Sequence, residues 1–234
     1  MKSEKLHEFY SYFNELVHLL FDTEEYIAID ELNFNAYSIK YNWLLQSICS
    51  EVDVVVKEVA AYIGDIPHRP NMNDCRKLIV NKYSSICRIK VKFSTLNECI
   101  VPWESWKIGE SPEWWIIYNN VKHHRVEIDE VSQMPYYKLA NQKNVLYALA
   151  GLYVLEWYLL HEYTFSEDEK KELMKHYSDR DEASVVKKAK GQIGLSLDVP
   201  QIQVIDFRGL KTFFMGYQHF NYDGMSKVLS GDIE

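Results

Sequence analysis

The sequence lacks an excess of positive charge. Lysine and arginine together number 26 against 34 aspartates and glutamates, which gives a formal net charge of -8. A surface coated in basic residues, of the kind that binds nucleic acid without specificity, is therefore excluded. A local basic site remains compatible with this composition.

The sequence also lacks paired cysteines and glycine-rich loops. Its four cysteines form no CxxC pair, so neither a zinc knuckle nor a redox motif is indicated. Cys49 falls within an apolar helical pattern and is interpreted as a small core residue. No glycine loop that cradles phosphate is present, which argues against nucleotide hydrolysis. We expect no cofactor and no metal.

Long hydrophobic runs are missing as well. The most apolar stretch, VLYALAGLYVLEWYLL at 145–160, is shorter than the roughly 20 residues of a membrane helix and contains Glu156. It predicts a buried central helix and no membrane association. The amphipathic start, MKSEKLHEFYSYF, has no signal-peptide core, so we expect a reducing cytoplasm.

The main pattern in the sequence is helical periodicity of its apolar residues. Apolar residues recur at spacings of three and four over 6–20, 37–59 and 73–88, and the longest helix is predicted at about 139–163. The second of these helices should end at Gly64. Lys90 and Lys92 alternate with apolar residues, which indicates a short strand, and two tryptophans of the next loop should anchor it to the helices: Trp103 and Trp106.

The predicted fold is all-α, an up-and-down bundle of about five to seven helices with a C-terminal extension. We expect the bundle over 1–164 and a helical and extended appendage over 165–234. A capping box at Ser166 and Glu169 and a helix from Asp179 to Gly191 are predicted there. The last forty residues favour short strands or an arm packed on the bundle or on a second subunit.

The stretch EWWIIYNNVKHHR, at 113–125, is the sharpest clue to function. Ser111 as a cap, Pro112 in the first turn and Glu113 at the positive dipole end predict a helix start. At about 100° per residue, one face of this helix is apolar and should be buried: Trp114, Ile117 and Val121. The other face should form an exposed polar stripe, with these residues on it or flanking it: Trp115, Tyr118, Asn119, Lys122, His123, Arg125 and Val126.

These residue types suit RNA chemistry. A histidine gives or takes a proton near neutral pH, and lysine and arginine hold phosphate and stabilise its developing charge. Asn119 and His123 lie four residues apart, within interaction range on a helix. A solvated, basic helix end is the simpler interpretation, since cations suit the negative end of the helix dipole.

The stretch resembles a signature of the HEPN superfamily, WWxxYNxxKHxR, which is complete here. The segments 37–59 and 144–160 resemble the flanking helices of that family, so the resemblance covers roughly 5–163. It implies an all-α bundle that forms a homodimer, often a metal-independent ribonuclease, in a bacterial defence or toxin setting. In that account His123 is the general acid or base, Asn119 and Tyr118 orient groups, and phosphate is held by three residues: Lys122, His124 and Arg125.

The chain departs from the family pattern at one position. The family's arginine should fall at Tyr118, Ile117 or Ile116, and none of these is basic. Two hypotheses stay open. One is an RNA-cleaving or RNA-binding protein in which Lys122 or Arg125 supplies the cation. The other is a non-enzymatic interaction or dimerisation module, in which Glu51 pairs with Lys122 or Arg125 to brace the helices.

Overall fold

The computed structural model describes residues 2–93, 95–164 and 202–205. This part of the chain contains six α-helices and two short strands, and the prediction of an all-α bundle is confirmed. The elements are α1 (Lys2–Asp22), α2 (Ile39–Ile63), α3 (Met72–Lys82), β1 (Lys90–Phe93), α4 (Glu113–His124), α5 (Tyr136–Leu139), α6 (Gln142–Thr164) and β2 (Ile202–Ile205).

Helices α2 and α6 form the centre of the bundle and share the most extensive helix–helix contact. At one end, Gln142 Nε2 donates to the Tyr41 hydroxyl at 3.0 Å. At the other end, the rings of Tyr62 and Tyr163 lie 4.7 Å apart between centroids. The early residues of each helix thus meet, as do the late ones, so α2 and α6 run parallel. α1 packs against both, and α4 joins them from another side.

The ends of α2 follow from local chemistry. Ser38 caps its start, because the Ser38 hydroxyl accepts from the backbone N–H of Tyr41 at 3.0 Å. Its end at Gly64 is as predicted. Tyr37 was expected on the apolar face of this helix; that expectation is wrong, because Tyr37 precedes the cap and is exposed.

Helix α3 is shorter than predicted. A capping box of Asn71 and Asp74 starts it, and it ends at Lys82 instead of continuing to Arg88. Tyr83 leaves the helical conformation, and its hydroxyl donates to the Glu162 carboxylate on α6. The apolar spacing that continues to Ile86 is instead carried by a 3₁₀ turn, Ser84–Arg88.

The predicted helix at 139–163 is divided in the structure. The short α5 ends at Leu139, and α6 begins at Gln142. Asn141 causes the new start, because its side-chain carbonyl accepts from the backbone N–H of Asn144 at 3.1 Å. Within the described residues α6 has 23 residues and α2 has 25.

A tryptophan cluster ties the loop before α4 to α6, as predicted for Trp103 and Trp106. The Trp103 indole donates to the carbonyl of Gly151 at 3.1 Å, and the Trp114 indole donates to the carbonyl of Pro102 at 3.1 Å. Gly151 permits this packing, because a Cβ there would lie 2.9 Å from the Trp114 ring. The cluster therefore fixes the position of α4.

Strand β1 confirms the prediction around Lys90 and Lys92. It pairs in parallel with β2, with Lys90 opposite Ile202 and Phe93 opposite Ile205. The predicted capping box at Ser166, the predicted helix from Asp179 and most of the expected appendage lie outside the described residues. None of the described helices is long and apolar enough to cross a membrane.

Candidate functional site

Helix α4 begins at Glu113, as the sequence predicts, but without a serine cap. Pro112 occupies the N-cap position and no side chain caps the helix. The expected capping role of Ser111 is therefore wrong. The tryptophan cluster supplies the anchor instead, together with an ion pair between Glu113 and Lys143 Nζ at 3.2 Å.

The buried face of α4 is wider than predicted. Trp114, Ile117 and Val121 are buried, as expected. Trp115 and Tyr118 were expected on the polar stripe, yet both are buried, with ring centroids 5.1 Å apart. The reason is that α4 contacts α2, α6 and α5, so only a narrow strip of the helix meets solvent.

The exposed strip ends in four consecutive side chains at the C-terminus of α4. We call Lys122, His123, His124 and Arg125 the cationic end of α4; all four are exposed. Lys122 Nζ lies 5.6 Å from the centroid of the Tyr118 ring, a cation–π distance. His124 Nδ1 lies 2.9 Å from the Glu127 carboxylate. Among the residues that the structure describes, Lys122 and Arg125 form no ion pair.

The expected contact between Asn119 and His123 is not formed. The Asn119 amide instead donates to the backbone carbonyl of Trp115 at 2.9 Å. His123 has a ring contact with His124, at 6.3 Å between centroids, and no hydrogen bond within the described part of the chain. One copy of the chain therefore presents an exposed imidazole without a side chain that orients it.

Glu51 does not serve as the partner of the cationic end. Burial, and then the charge of Glu8, raise the pKa of the Glu51 carboxyl. Its neighbours are thus carboxylates of α1 and α6, and neither Lys122 nor Arg125 pairs with it in the described residues. The expected bracing pair is therefore not formed in the described part of the chain.

Glu156 of α6 is the neighbouring buried carboxylate. Its Oε1 is inaccessible to water and has no hydrogen-bond partner within the described residues. Burial, and then the charge of Glu51, raise the pKa of Glu156 to about 8. The carboxyl group is therefore mainly protonated at neutral pH. The neighbouring Leu155 is fully buried, and the Glu156 side chain as a whole is half-buried.

A pair of exposed tyrosines lies next to the cationic end and was missed from the sequence. The backbone N–H of Tyr137 donates to the carbonyl of Arg125 at 3.0 Å. The Tyr137 ring contacts that of Tyr37 edge to face, with centroids 6.2 Å apart. Lys138 Nζ lies 5.4 Å from the centroid of the Tyr37 ring. The available signal was the segment MPYYKL, in which tyrosines stand beside a lysine after a proline.

The arrangement has the chemistry of an anion-binding surface. Lysine and arginine donate charge-assisted hydrogen bonds to phosphate, and the exposed tyrosine rings offer apolar faces beside them. Among the described residues, no group of three or more histidine, cysteine, aspartate or glutamate side chains is placed to hold a metal ion.

Comparisons with protein-family models, with curated proteins and with solved structures found no match.

Proposed function

We propose that this chain is a HEPN-like RNA-binding protein that holds phosphate on the cationic end of α4. The observation that carries the proposal is the exposure of Lys122 and Arg125 without an acidic partner among the described residues. Exposed cations without partners are available to an anionic ligand. The assignment to the HEPN-like class rests on the sequence signature, which also supports a homodimer and a defence or toxin setting.

The structural alternative is less well supported. In an interaction module braced by the polar stripe, Lys122 or Arg125 would need a carboxylate partner, and Glu51 was the candidate. Glu51 instead lies near Glu8, and its charge helps to raise the pKa of Glu156. Lys122 rests on the Tyr118 ring, where it remains accessible to solvent.

RNA cleavage without a metal is the second candidate function. The observation that favours it is the exposed imidazole of His123 beside two cations. Cleavage needs an acid and a base around the reacting phosphate, and one described copy offers a single unoriented histidine there. We therefore propose that any cleavage requires a second copy, which brings another His123 to the same phosphate.

Binding is tested with a labelled single-stranded RNA by fluorescence anisotropy at several salt concentrations. The double variant Lys122→Ala/Arg125→Ala should bind more weakly. Its salt dependence should fall by about 0.7 in slope for each phosphate that the variant no longer neutralises. The matched control is Arg88→Ala/Lys107→Ala, which removes the same charge from two exposed 3₁₀-turn residues elsewhere. Equal weakening in both double variants would contradict a specific role for the cationic end.

The same double variant distinguishes a role of Lys122 and Arg125 in RNA binding from a role in stabilising the fold. Because both side chains are exposed and form no ion pair in the described part, its free energy of unfolding should change by no more than about 0.5 kcal/mol per substitution. A marked drop in melting temperature would support the structural alternative.

Cleavage is tested by incubating RNA with wild type and His123→Ala in the presence of EDTA. We expect product from the wild type and none from the variant. Equal cleavage by both proteins, or none by either, would remove the catalytic claim and leave the binding claim to its own test.

A further inference from the structure

Tyr37 and Tyr137 form an exposed aromatic pair on a rigid support. Their side chains are 47% and 38% exposed, although tyrosines of this chain also fill its core. Tyr37 forms an antiparallel bridge with Asn141, one residue before α6. Tyr137 lies in α5 and is fastened to the end of α4 through the Arg125 carbonyl. Both rings are thus carried by backbone that is held at two helix junctions.

Residues of both charges lie near the pair. Lys138 lies over the Tyr37 ring, and Arg125 joins the backbone of Tyr137 to the cationic end of α4. Two acidic residues of the following loop are already engaged by this chain. Glu127 contacts His124 at 2.9 Å, and the Asp129 carboxylate accepts from the backbone N–H of Ser132 at 2.7 Å.

We propose that Tyr37 and Tyr137 are a base-stacking platform, and that the ligand of the cationic end of α4 is single-stranded RNA. The proposal rests on the proposed RNA-binding function and deepens it. Lys122 and Arg125 contact the phosphates, while the two rings receive neighbouring bases. Lys138 lies over one face of the Tyr37 ring, so the base stacks on the other face of that ring.

The ring geometry selects a single strand over a duplex. The two rings are inclined by 70°, so they cannot continue one regular stack of bases. Each ring must take a base in its own orientation, which requires bases that are splayed apart. The bases of a double helix are paired and stacked on one another, whereas those of a single strand are free to turn onto aromatic side chains.

The first experiment needs no substitution. Wild-type protein is titrated against a labelled single-stranded RNA, against an abasic ribose-phosphate strand of equal length, and against the duplex form. The single strand should bind most tightly, and the abasic strand about tenfold or more weakly, since stacking on an aromatic ring contributes about this factor per base. Equal affinity for the intact and abasic strands would overturn the platform.

The second experiment removes the rings. Tyr37→Leu/Tyr137→Leu should lower affinity for the single strand by roughly 10- to 100-fold and leave affinity for the abasic strand unchanged. Tyr37→Phe/Tyr137→Phe keeps the rings and should restore binding. Tyr12→Leu/Tyr26→Leu is the matched control, because both tyrosines are exposed and neither has a ring contact with Tyr37 or Tyr137 in the described residues.

The two proposals fail in different ways. If the leucine variant binds as the wild type does, while Lys122→Ala/Arg125→Ala is weakened, the platform is wrong and the phosphate site stands. If wild type binds no RNA at low salt, the proposed function fails and the platform fails with it.

Discussion

The carboxyl group of Glu156 should make the stability of the protein fall as pH rises. Its Oε1 is shielded from water without a hydrogen-bond partner among the described residues, and Glu51 faces it from α2. Both features oppose ionisation, so the pKa of Glu156 rises from 4.5 to about 8 in the folded state. The unfolded chain releases this proton near the ordinary value.

The direction of the change in stability with pH follows from proton binding. Between pH 4.5 and about 8 the folded state binds the proton that the unfolded state has lost. The free energy of unfolding therefore decreases with pH across this window and levels off above it. At about 1.4 kcal/mol per pH unit, the interval corresponds to a loss of at most roughly 5 kcal/mol, an upper limit because the side chain is only half-buried. Water entry or small movements around the carboxylate lower this limit.

Glu156→Gln keeps the shape of the protonated group and removes its titration. We expect this variant to match wild type at pH 4.5 and to be several kcal/mol more stable than wild type at pH 9. The assay is urea denaturation monitored by circular dichroism at intervals between these pH values. Glu15→Gln, at an exposed position of α1, serves as the control for a simple change of net charge. Parallel pH profiles for wild type and Glu156→Gln would refute the reasoning.

Two further substitutions test the scaffold of the site. Gly151→Ala should lower the free energy of unfolding by roughly 1–2 kcal/mol in urea denaturation, because the new Cβ meets the Trp114 ring at 2.9 Å and this clash outweighs the helix preference of alanine. An unchanged or higher stability would show that the indole rings move aside freely. Asn71→Ala should cost about 1 kcal/mol through loss of the α3 cap, measured as a lower thermal midpoint. Asn81→Ala, at an exposed position in the last turn of the same helix, is its control, and an equal decrease there would argue against the cap.

Periodicity predicted the bundle well where one face alone is buried. Gly64 ends α2 as expected, and the predicted apolar positions of the two helices include these buried ones: Phe9, Phe13, Leu16, Val17 and Leu20 of α1, and Tyr41, Leu44, Leu45, Ile48, Val52, Val55, Val56 and Val59 of α2. Element ends were less predictable. Asn141 starts α6 through a side-chain cap, and Tyr83 follows the end of α3 and bonds to α6; the apolar spacing records neither contact.

The exposed charges of the candidate site were predictable, but its buried aromatic residues were not. Charged side chains at a helix end were expected in solvent, and Lys122, His123, His124 and Arg125 are exposed. A helical wheel does not show how many other helices pack against a helix. The wheel therefore placed Trp115 and Tyr118 on the exposed face. Both are buried, because α4 contacts three other helices.

The contacts of Glu51 and Tyr37 depend on distant parts of the chain. Glu51 lies beside Glu8 and Glu156, so its surroundings follow from how α1 and α6 pack on α2. The Tyr37 ring meets Tyr137, one hundred residues later, through a junction of three helices. Spacing within one segment does not encode such neighbours, which is why the pairing of Glu51 was wrong and the tyrosine pair was missed.

The placement of the tryptophans makes the intrinsic fluorescence of the protein a reporter of its structure. Of the six tryptophans, Trp43 is 63% exposed, while Trp103, Trp106, Trp114 and Trp115 are buried. Iodide should therefore quench a red-shifted fraction of the emission from Trp43 and leave a blue-shifted fraction from the interior. Trp115 contacts Tyr118, whose ring lies under Lys122. A ligand that displaces Lys122 would thus change the protected emission without any label on the ligand.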